Sequence, residues 1–315
     1  MRMKVCVVGA GAAGCTIGGT LTEGGSDVWL IDSYKEHIDV MNAIGLRMRD
    51  GDAERTVKVN ARSSCDGIGA ADLVIVLVKS FHTRKAVESA APIIGKNTLV
   101  MSLQNGLGHE DIIADVVGRE RVLGGRTYAG GVFLGAGHVR ATTRGKETII
   151  GELDGSITER VQAVADEFNR ANLLTMVSDD IMAVMWDRLL INVATGALSA
   201  ITRLTYGGLY RVPELEACAT AAVAEGIAVA TAAGVRLSSE DPRQAWIKAA
   251  QASPPEFKAS MLQSLENNPV TEVDFINGSV IRTGEKYGVP TPVNQTLVAC
   301  IKGIEFSNTA YPGKA

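Results

Sequence analysis

The chain opens on alternating apolar and small-residue blocks that read as strand, turn and helix. Val5-Cys6-Val7-Val8 is a short apolar run, the pattern of a strand buried on both faces. Gly9-Ala10-Gly11-Ala12-Ala13-Gly14 follows, then a helix-compatible stretch to about Glu23. A second apolar run, Val28-Trp29-Leu30-Ile31, ends on Asp32. Helical spacing covers residues 34–43, and residues 46–49 and 56–59 pattern as a strand pair around Asp50-Gly51-Asp52. Asp72-Leu73-Val74-Ile75-Val76-Leu77-Val78 reads as a buried strand closed by Lys79. Residues 82–92 read as helix, and Leu99-Val100-Met101-Ser102-Leu103 as a further buried strand running into Gln104-Asn105-Gly106-Leu107-Gly108. Residues 109–117 are helical in spacing. From 121 to 151 short glycine-rich alternating segments predict antiparallel strands added to the sheet.

Beyond residue 155 the spacing becomes helical. A helix is expected over 157–171, a last short strand over 173–177, and a long helix over 180–201 capped by Ser178 or Asp179. Further helices are expected near 213–234, 240–252, 255–267, 271–287 and 293–306, with Pro290 and Pro292 between the last two. This order predicts an α/β fold: an N-terminal Rossmann doubly wound sheet over residues 1–172 and a C-terminal all-helical domain over residues 173–315.

The composition narrows the function classes. The chain has 315 residues, 46% hydrophobic and 21% charged, with a net charge of −4. It is long enough for two cored domains and lacks the basic footprint of a nucleic-acid or anionic-membrane binder. No apolar run approaches a bilayer span, and the first strand starts so near Met1 that no signal peptide is expected. The cysteines (Cys6, Cys15, Cys65, Cys218, Cys300) form no CxxC pair and read as reduced thiols of a cytoplasmic protein. The histidines (His37, His82, His109, His138) lack metal-ligand spacing, so no metal is expected.

Strand, glycine turn, helix, strand and acid is the order that a dinucleotide needs. Gly9 allows the tight turn, Gly11 the approach of the pyrophosphate, and Gly14 close packing of helix on strand. With Ala10, Ala12 and Ala13 they present a helix N-terminus to the phosphates. Asp32, 18 residues after Gly14, is placed to accept hydrogen bonds from both ribose hydroxyls and to repel a 2′-phosphate. NADH is therefore expected over NADPH, with Ser33, Tyr34 and Lys35 softening the preference and NADP still possible.

Three other places carry chemistry. Lys79 and Asn105 lie where parallel strands end, the edge at which doubly wound folds bind ligands. Arg188 and Asn192 are four apart and share a helix face; they are either an interdomain contact or a substrate contact. Ser260-Met261-Leu262-Gln263 precedes Thr271-Glu272-Val273-Asp274-Phe275-Ile276-Asn277-Gly278, where an acid and an asparagine interrupt an apolar helical pattern.

Taken in order, these pieces resemble the ketopantoate reductase (2-dehydropantoate 2-reductase) family over nearly the whole chain. The matching motifs are Gly9-x-Gly11-x-x-Gly14, Val78-Lys79, Asn105-Gly106-x-Gly108, Trp186-x-Arg188-Leu189-x-x-Asn192, Ser260-Met261-Leu262-Gln263 and Glu272-x-Asp274-Phe275-Ile276-Asn277-Gly278. The resemblance implies a Rossmann domain and a helical domain with the active site in the cleft between them, and hydride transfer from a nicotinamide cofactor to the ketone of a 2-oxo acid. It implies that Asn105 lies near nicotinamide and substrate, that Lys79 lies near the cofactor, and that Asn192, Ser260 and Glu272 hold the substrate or order the site.

Three positions depart from the family pattern. The family's general acid is a lysine two residues after the tryptophan, where this chain has Arg188; a second asparagine is Gly196 here; and NADPH users tend to carry an arginine or neutral residue near Asp32. Arginine does not release a proton near neutral pH, but it can clamp a carboxylate or stabilise an alkoxide. The expectation is an NADH-preferring 2-oxo acid reductase (a 2-hydroxy acid dehydrogenase in reverse) with Arg188, Asn105 and Lys79 catalytic. The alternatives are an authentic NADPH-dependent 2-dehydropantoate 2-reductase and a dinucleotide sensor without catalysis. Apolar helices around 217–235 predict a homodimer through the helical domain.

Overall fold

The computed structural model describes residues 2–252, 254–267 and 270–310. It divides into two compact units, Met1–Gln104 with His109–Ile181, and Asn105–Gly108 with Met182–Ala315. The division after Ile181 lies beyond the expected 172, since the last strand and the residues after it pack on the sheet. The turn 105–108 groups with the second unit.

In the first unit the chain runs β1 Lys4–Val8, α1 Ala12–Glu23, β2 Asp27–Ile31, α2 Lys35–Ile44, β3 Leu46–Asp50, β4 Ala53–Val57, β5 Asn60–Arg62, β6 Leu73–Val76, α3 Thr83–Ser89, β7 Leu99–Ser102, α4 His109–Val117, β8 Val122–Thr127, β9 Gly130–Gly135, β10 His138–Thr142, β11 Thr148–Glu152, α5 Glu159–Arg170 and β12 Thr175–Val177. Eight strands form one sheet in the order β12-β11-β8-β7-β6-β1-β2-β5, parallel except where β11 meets β8. Alternate residues of β1 serve opposite faces. Val5 and Val7 pack with Ile17, Leu21 and Phe168, from α1 and α5. Cys6 and Val8 pack with Val87 and Ile113, from α3 and α4. Each such side chain contributes about 1.5–3 kcal/mol on burial, and helices on both faces make the sheet doubly wound.

The segment 121–151 corrects one expectation. Only β11 adds to the main sheet antiparallel to its neighbour; β8 continues it in parallel. The strands β9 and β10 leave it and form a second sheet, β4-β3-β10-β9. Its inner face is apolar: Leu46, Met48, Val139 and Ala141 are buried in the α1 side of the core.

The second unit contains α6 Ile181–Thr202, α7 Tyr206–Leu209, α8 Pro213–Ala232, α9 Arg243–Ala252, α10 Ser260–Asn267, α11 Asn277–Tyr287 and α12 Pro292–Ala310. Met185, Leu189, Val193 and Ala197 of α6 are buried, as are Ala222, Val223 and Val229 of α8 and Val280 of α11. By length and composition α6 and α8 are apolar enough to cross a membrane, which counting unbroken apolar runs did not register; 61% of the most apolar stretch of α6 is buried within the fold. The helix expected over 255–267 begins only at Ser260; before it the Pro255 and Phe257 carbonyls accept the Gly207 and Tyr206 N–H groups instead of starting a helical ladder. The helix expected over 271–287 is broken: Val273–Phe275 is a 3₁₀ turn and α11 starts at Asn277. The break falls at Ile276, whose backbone leaves helical geometry at φ −105° and ψ −93°, while the buried Glu305 carboxylate of α12 anchors the start of the segment, accepting hydrogen bonds from the Thr271 N–H at 2.7 Å and hydroxyl at 2.6 Å.

Candidate active site

The glycine turn sits where β1, β2 and β6 end side by side. Val8 is in register with Ile31 on one side and Val76 on the other. Asp32 and Lys79 therefore follow strand ends on opposite sides of Gly9. The Gly9 N–H donates to the Ile31 carbonyl at 2.8 Å, and a Cβ on Gly14 would run into the Gly9 carbonyl, so only glycine allows this approach of helix to strand. The first helix, α1, starts after Gly11, its N-cap residue, with no side-chain cap and no acid in its first turn. A Cβ on Gly11 would meet nothing within 4 Å. Open space before an uncapped helix N-terminus suits a phosphate, so the turn fits the pyrophosphate of a dinucleotide.

Around this turn the charges are distributed unevenly. Asp32 accepts the Tyr34 N–H at 3.0 Å through one oxygen. Lys35 is engaged by Asp39 at 2.6 Å. Lys79 is exposed, at the entry to a 3₁₀ turn over Ser80–His82. Arg62, which the sequence did not single out, is the residue whose carbonyl accepts the Asp32 N–H at 3.2 Å. Its guanidinium lies 5.2 Å from the Trp29 ring centroid. A three-residue strand gives little signal from which to find it.

In the second unit Arg188 and Asn192 lie one turn apart on α6, both half-buried. Thr195 continues that face, and its Oγ1 is 3.0 Å from the Tyr206 hydroxyl. Burial raises the Tyr206 pKa; the Thr195 hydrogen bond and the positive charge of Arg188 pull against that rise without cancelling it. Gly196 follows Thr195, and a Cβ there would meet only the Met261 methyl, at 3.5 Å. Ser260, exposed at the start of α10, thus adjoins this face through its neighbour. Asn105 is exposed on a turn docked on the segment that follows Glu272: the Leu107 N–H donates to the Phe275 carbonyl at 2.9 Å. The structure brings Arg188, Asn192, Thr195 and Tyr206 together, and separately Asn105 with the Glu272 segment. Thr195 was open to recognition as the next turn of the Arg188–Asn192 face. Tyr206 was not, because the chain reverses at Arg203, a non-glycine residue at φ 61°.

Comparison with known proteins matches both halves. The family described as "Ketopantoate reductase PanE/ApbA" matches residues 5–155, and "Ketopantoate reductase PanE/ApbA C terminal" matches 180–305. The 2-dehydropantoate 2-reductase of Pyrococcus horikoshii is 34% identical over 304 residues, 96% of this chain and 98% of that protein. A PanE/ApbA family ketopantoate reductase from Ralstonia eutropha JMP134 is similar in structure, with TM-score 0.89 and 35% identity, covering 98% of this chain and 100% of that one. D-mandelate dehydrogenase, solved with NADH and anilino(oxo)acetate, superposes with TM-score 0.90 at 27% identity, covering 98% of this chain and 100% of that one. Sequence and fold agree: the chain is an oxidoreductase of the ketopantoate reductase family.

Proposed function

We propose that this protein is an NADH-preferring reductase of 2-oxo acids, with the reverse oxidation of 2-hydroxy acids. The observation that carries the cofactor choice is Asp32 at the strand end beside the uncapped start of α1. One Asp32 oxygen takes the Tyr34 N–H; the other is left to a ribose hydroxyl. A 2′-phosphate near it would meet like charge, a repulsion of about 4 kcal/mol at 4 Å and an effective dielectric of 20, less in solvent. D-mandelate dehydrogenase, with NADH bound, supports this choice.

When bound, reduced nicotinamide supplies a hydride to the keto carbon. Gly9, Ala10, Gly11, Ala12, Ala13 and Gly14 hold the pyrophosphate, and Lys79 and Asn105 complete the cofactor site. Arg188 clamps the substrate carboxylate or stabilises the oxygen that gains charge. The proton then comes from water or another group, since a guanidinium holds its own. Asn192, Ser260 and Glu272 bind the remaining polar atoms of the substrate. In this reading residues 1–172 serve the cofactor and 173–315 the substrate and a homodimer contact, and the enzyme works in the cytoplasm with all five cysteines as free thiols.

A second reading, an authentic NADPH-dependent 2-dehydropantoate 2-reductase, is favoured by Arg62 next to Asp32 and by the name of the Pyrococcus horikoshii relative. Initial rates with NADH and NADPH, each on ketopantoate and on other 2-oxo acids, separate the two. Higher kcat/KM with NADH supports the first reading. Equal or higher kcat/KM with NADPH, with ketopantoate as best substrate, supports the second.

A further inference from the structure

The Ala10 carbonyl, inside the glycine turn, is held by two buried side chains. Nε2 of His37, on α2, lies 2.9 Å from that oxygen, and Sγ of Cys15, on α1, lies 3.0 Å from it. His37 is 1% exposed, and Cys15 and Ala10 are fully buried. A backbone N–H can only donate, so the Gly137 N–H, 2.8 Å from His37 Nδ1, makes that nitrogen an acceptor. The proton of the neutral ring therefore sits on Nε2 and is donated to Ala10. Burial pushes the Cys15 thiol pKa up, so the sulfur keeps its proton and is the second donor.

Both donors act where the helix cannot. The first carbonyl of the α1 ladder is that of Gly11, which accepts the Cys15 N–H at 2.8 Å. The Ala10 carbonyl lies one residue earlier, and residue 11 has no side chain to block rotation of the peptide between them. One donor would satisfy a buried carbonyl. This one has two, both from side chains, and His37 is itself aligned by the turn between β9 and β10. The second sheet thus reaches the glycine turn through His37. Across a planar trans peptide the C=O and N–H point in opposite directions. With the Ala10 oxygen turned inward to His37 and Cys15, the Gly11 N–H is turned outward, at a residue where a Cβ would meet nothing within 4 Å.

We infer that His37 is a positioning residue for the cofactor, holding the Ala10–Gly11 peptide in the orientation that aims the Gly11 N–H at the pyrophosphate, with Cys15 as the second anchor. This rests on the reading of the glycine turn as the pyrophosphate site. Without the two donors the peptide is free to turn over, and its carbonyl oxygen then faces the phosphates. A partial negative charge replaces a hydrogen-bond donor next to an anion. The loss falls on ligands that carry a pyrophosphate and spares the nucleoside.

Calorimetric Kd values of the whole chain for NADH, ADP-ribose and adenosine test this, beside steady-state kinetics with a 2-oxo acid. His37→Phe keeps a ring against Tyr34 and Phe133 and removes both hydrogen bonds. It is expected to weaken NADH and ADP-ribose by about tenfold or more, to leave adenosine within about twofold, and to raise KM for NADH far more than it lowers kcat. His37→Gln, which supplies an amide N–H, should recover most of the lost affinity. Cys15→Ala, which removes the other donor, should show the same selectivity with a smaller loss, about threefold, and carries the test if His37→Phe does not fold. Wild-type affinity in both His37→Phe and Cys15→Ala, or equal weakening of all three ligands, overturns the assignment and leaves the cofactor reading intact, as does a His37→Gln protein that binds no tighter than His37→Phe. A wild type that binds neither NADH nor ADP-ribose overturns the cofactor reading and the assignment with it.

Discussion

The Leu107 N–H donates to the Phe275 carbonyl oxygen at 2.9 Å, fastening the turn that carries Asn105 to the segment that carries Glu272. The residue before it, Gly106, sits at φ +99°, and a Cβ there would collide with the same carbonyl. Gly106→Ala should therefore cost on the order of 1–3 kcal/mol through strain and lower kcat by displacing Asn105. Thermal denaturation and steady-state kinetics check both effects; wild-type melting together with wild-type kcat would show that the turn does not need glycine.

Arg188 is the charged residue on the face that Asn192 and Thr195 share. Removing a charged donor that pairs with a buried charge costs about 2–5 kcal/mol, so Arg188→Ala should lower kcat/KM by about a hundredfold or more, with the melting temperature and NADH affinity kept. Arg188→Lys discriminates between roles. A two-pronged carboxylate clamp predicts a raised KM, whereas a site that gains from a titratable donor predicts a maintained or higher kcat with a new pH dependence. Near-normal kinetics for Arg188→Ala would make the position structural.

Acid stability of the first unit should depend on Glu152. Burial raises its pKa, but hydrogen bonds from Arg160 and Thr158 and the Arg160 charge outweigh burial, and the carboxyl is held below its ordinary value of 4.5. The Arg160 contacts are 2.6 Å to each carboxylate oxygen. A depressed folded-state pKa contributes stability that is present above the unfolded value and is lost as pH falls through the folded one. Glu152→Gln should cost about 1.5–3 kcal/mol at pH 7, with a smaller loss of stability than the wild type on acidification below pH 4.5. Parallel melting curves for the two proteins down the acid limb would contradict this assignment.

Self-association has a candidate surface on α8. Only 33% of its most apolar stretch is buried, and Ala217, Ala221, Ala224 and Ala228 are exposed at helical spacing on one side. A second copy would cover this stripe. Light scattering should give a dimer for the wild type and a monomer for Ala221→Arg and Ala224→Glu; a monomeric wild type at micromolar concentration refutes the dimer.

Legibility in the sequence followed the range of the interactions. The β1–α1–β2 unit and Asp32 were readable because adjacent apolar runs, three glycines and one acid specify them locally. The face of α6 was readable from a spacing of four. What escaped depends on contacts between distant parts of the chain. The second sheet forms because β10 finds β3, roughly ninety residues earlier, in parallel register. The segment before α11 is held at Thr271 by Glu305, 34 residues on. Tyr206 reaches the site through a left-handed residue, Arg203, for which the sequence carries no glycine signal. Arg62 lies on a strand of three residues, too short to show a period.

Hydride transfer from a nicotinamide cofactor to a 2-oxo acid is tested most directly with cofactor deuterated at C4 of the reduced ring. Incubation with the protein and a 2-oxo acid should yield the 2-hydroxy acid with one deuterium at C2 by mass spectrometry, and Arg188→Ala should reduce its rate of formation about a hundredfold. Tight cofactor binding with no deuterium in any 2-hydroxy acid would contradict the account and leave a dinucleotide-binding protein without this activity.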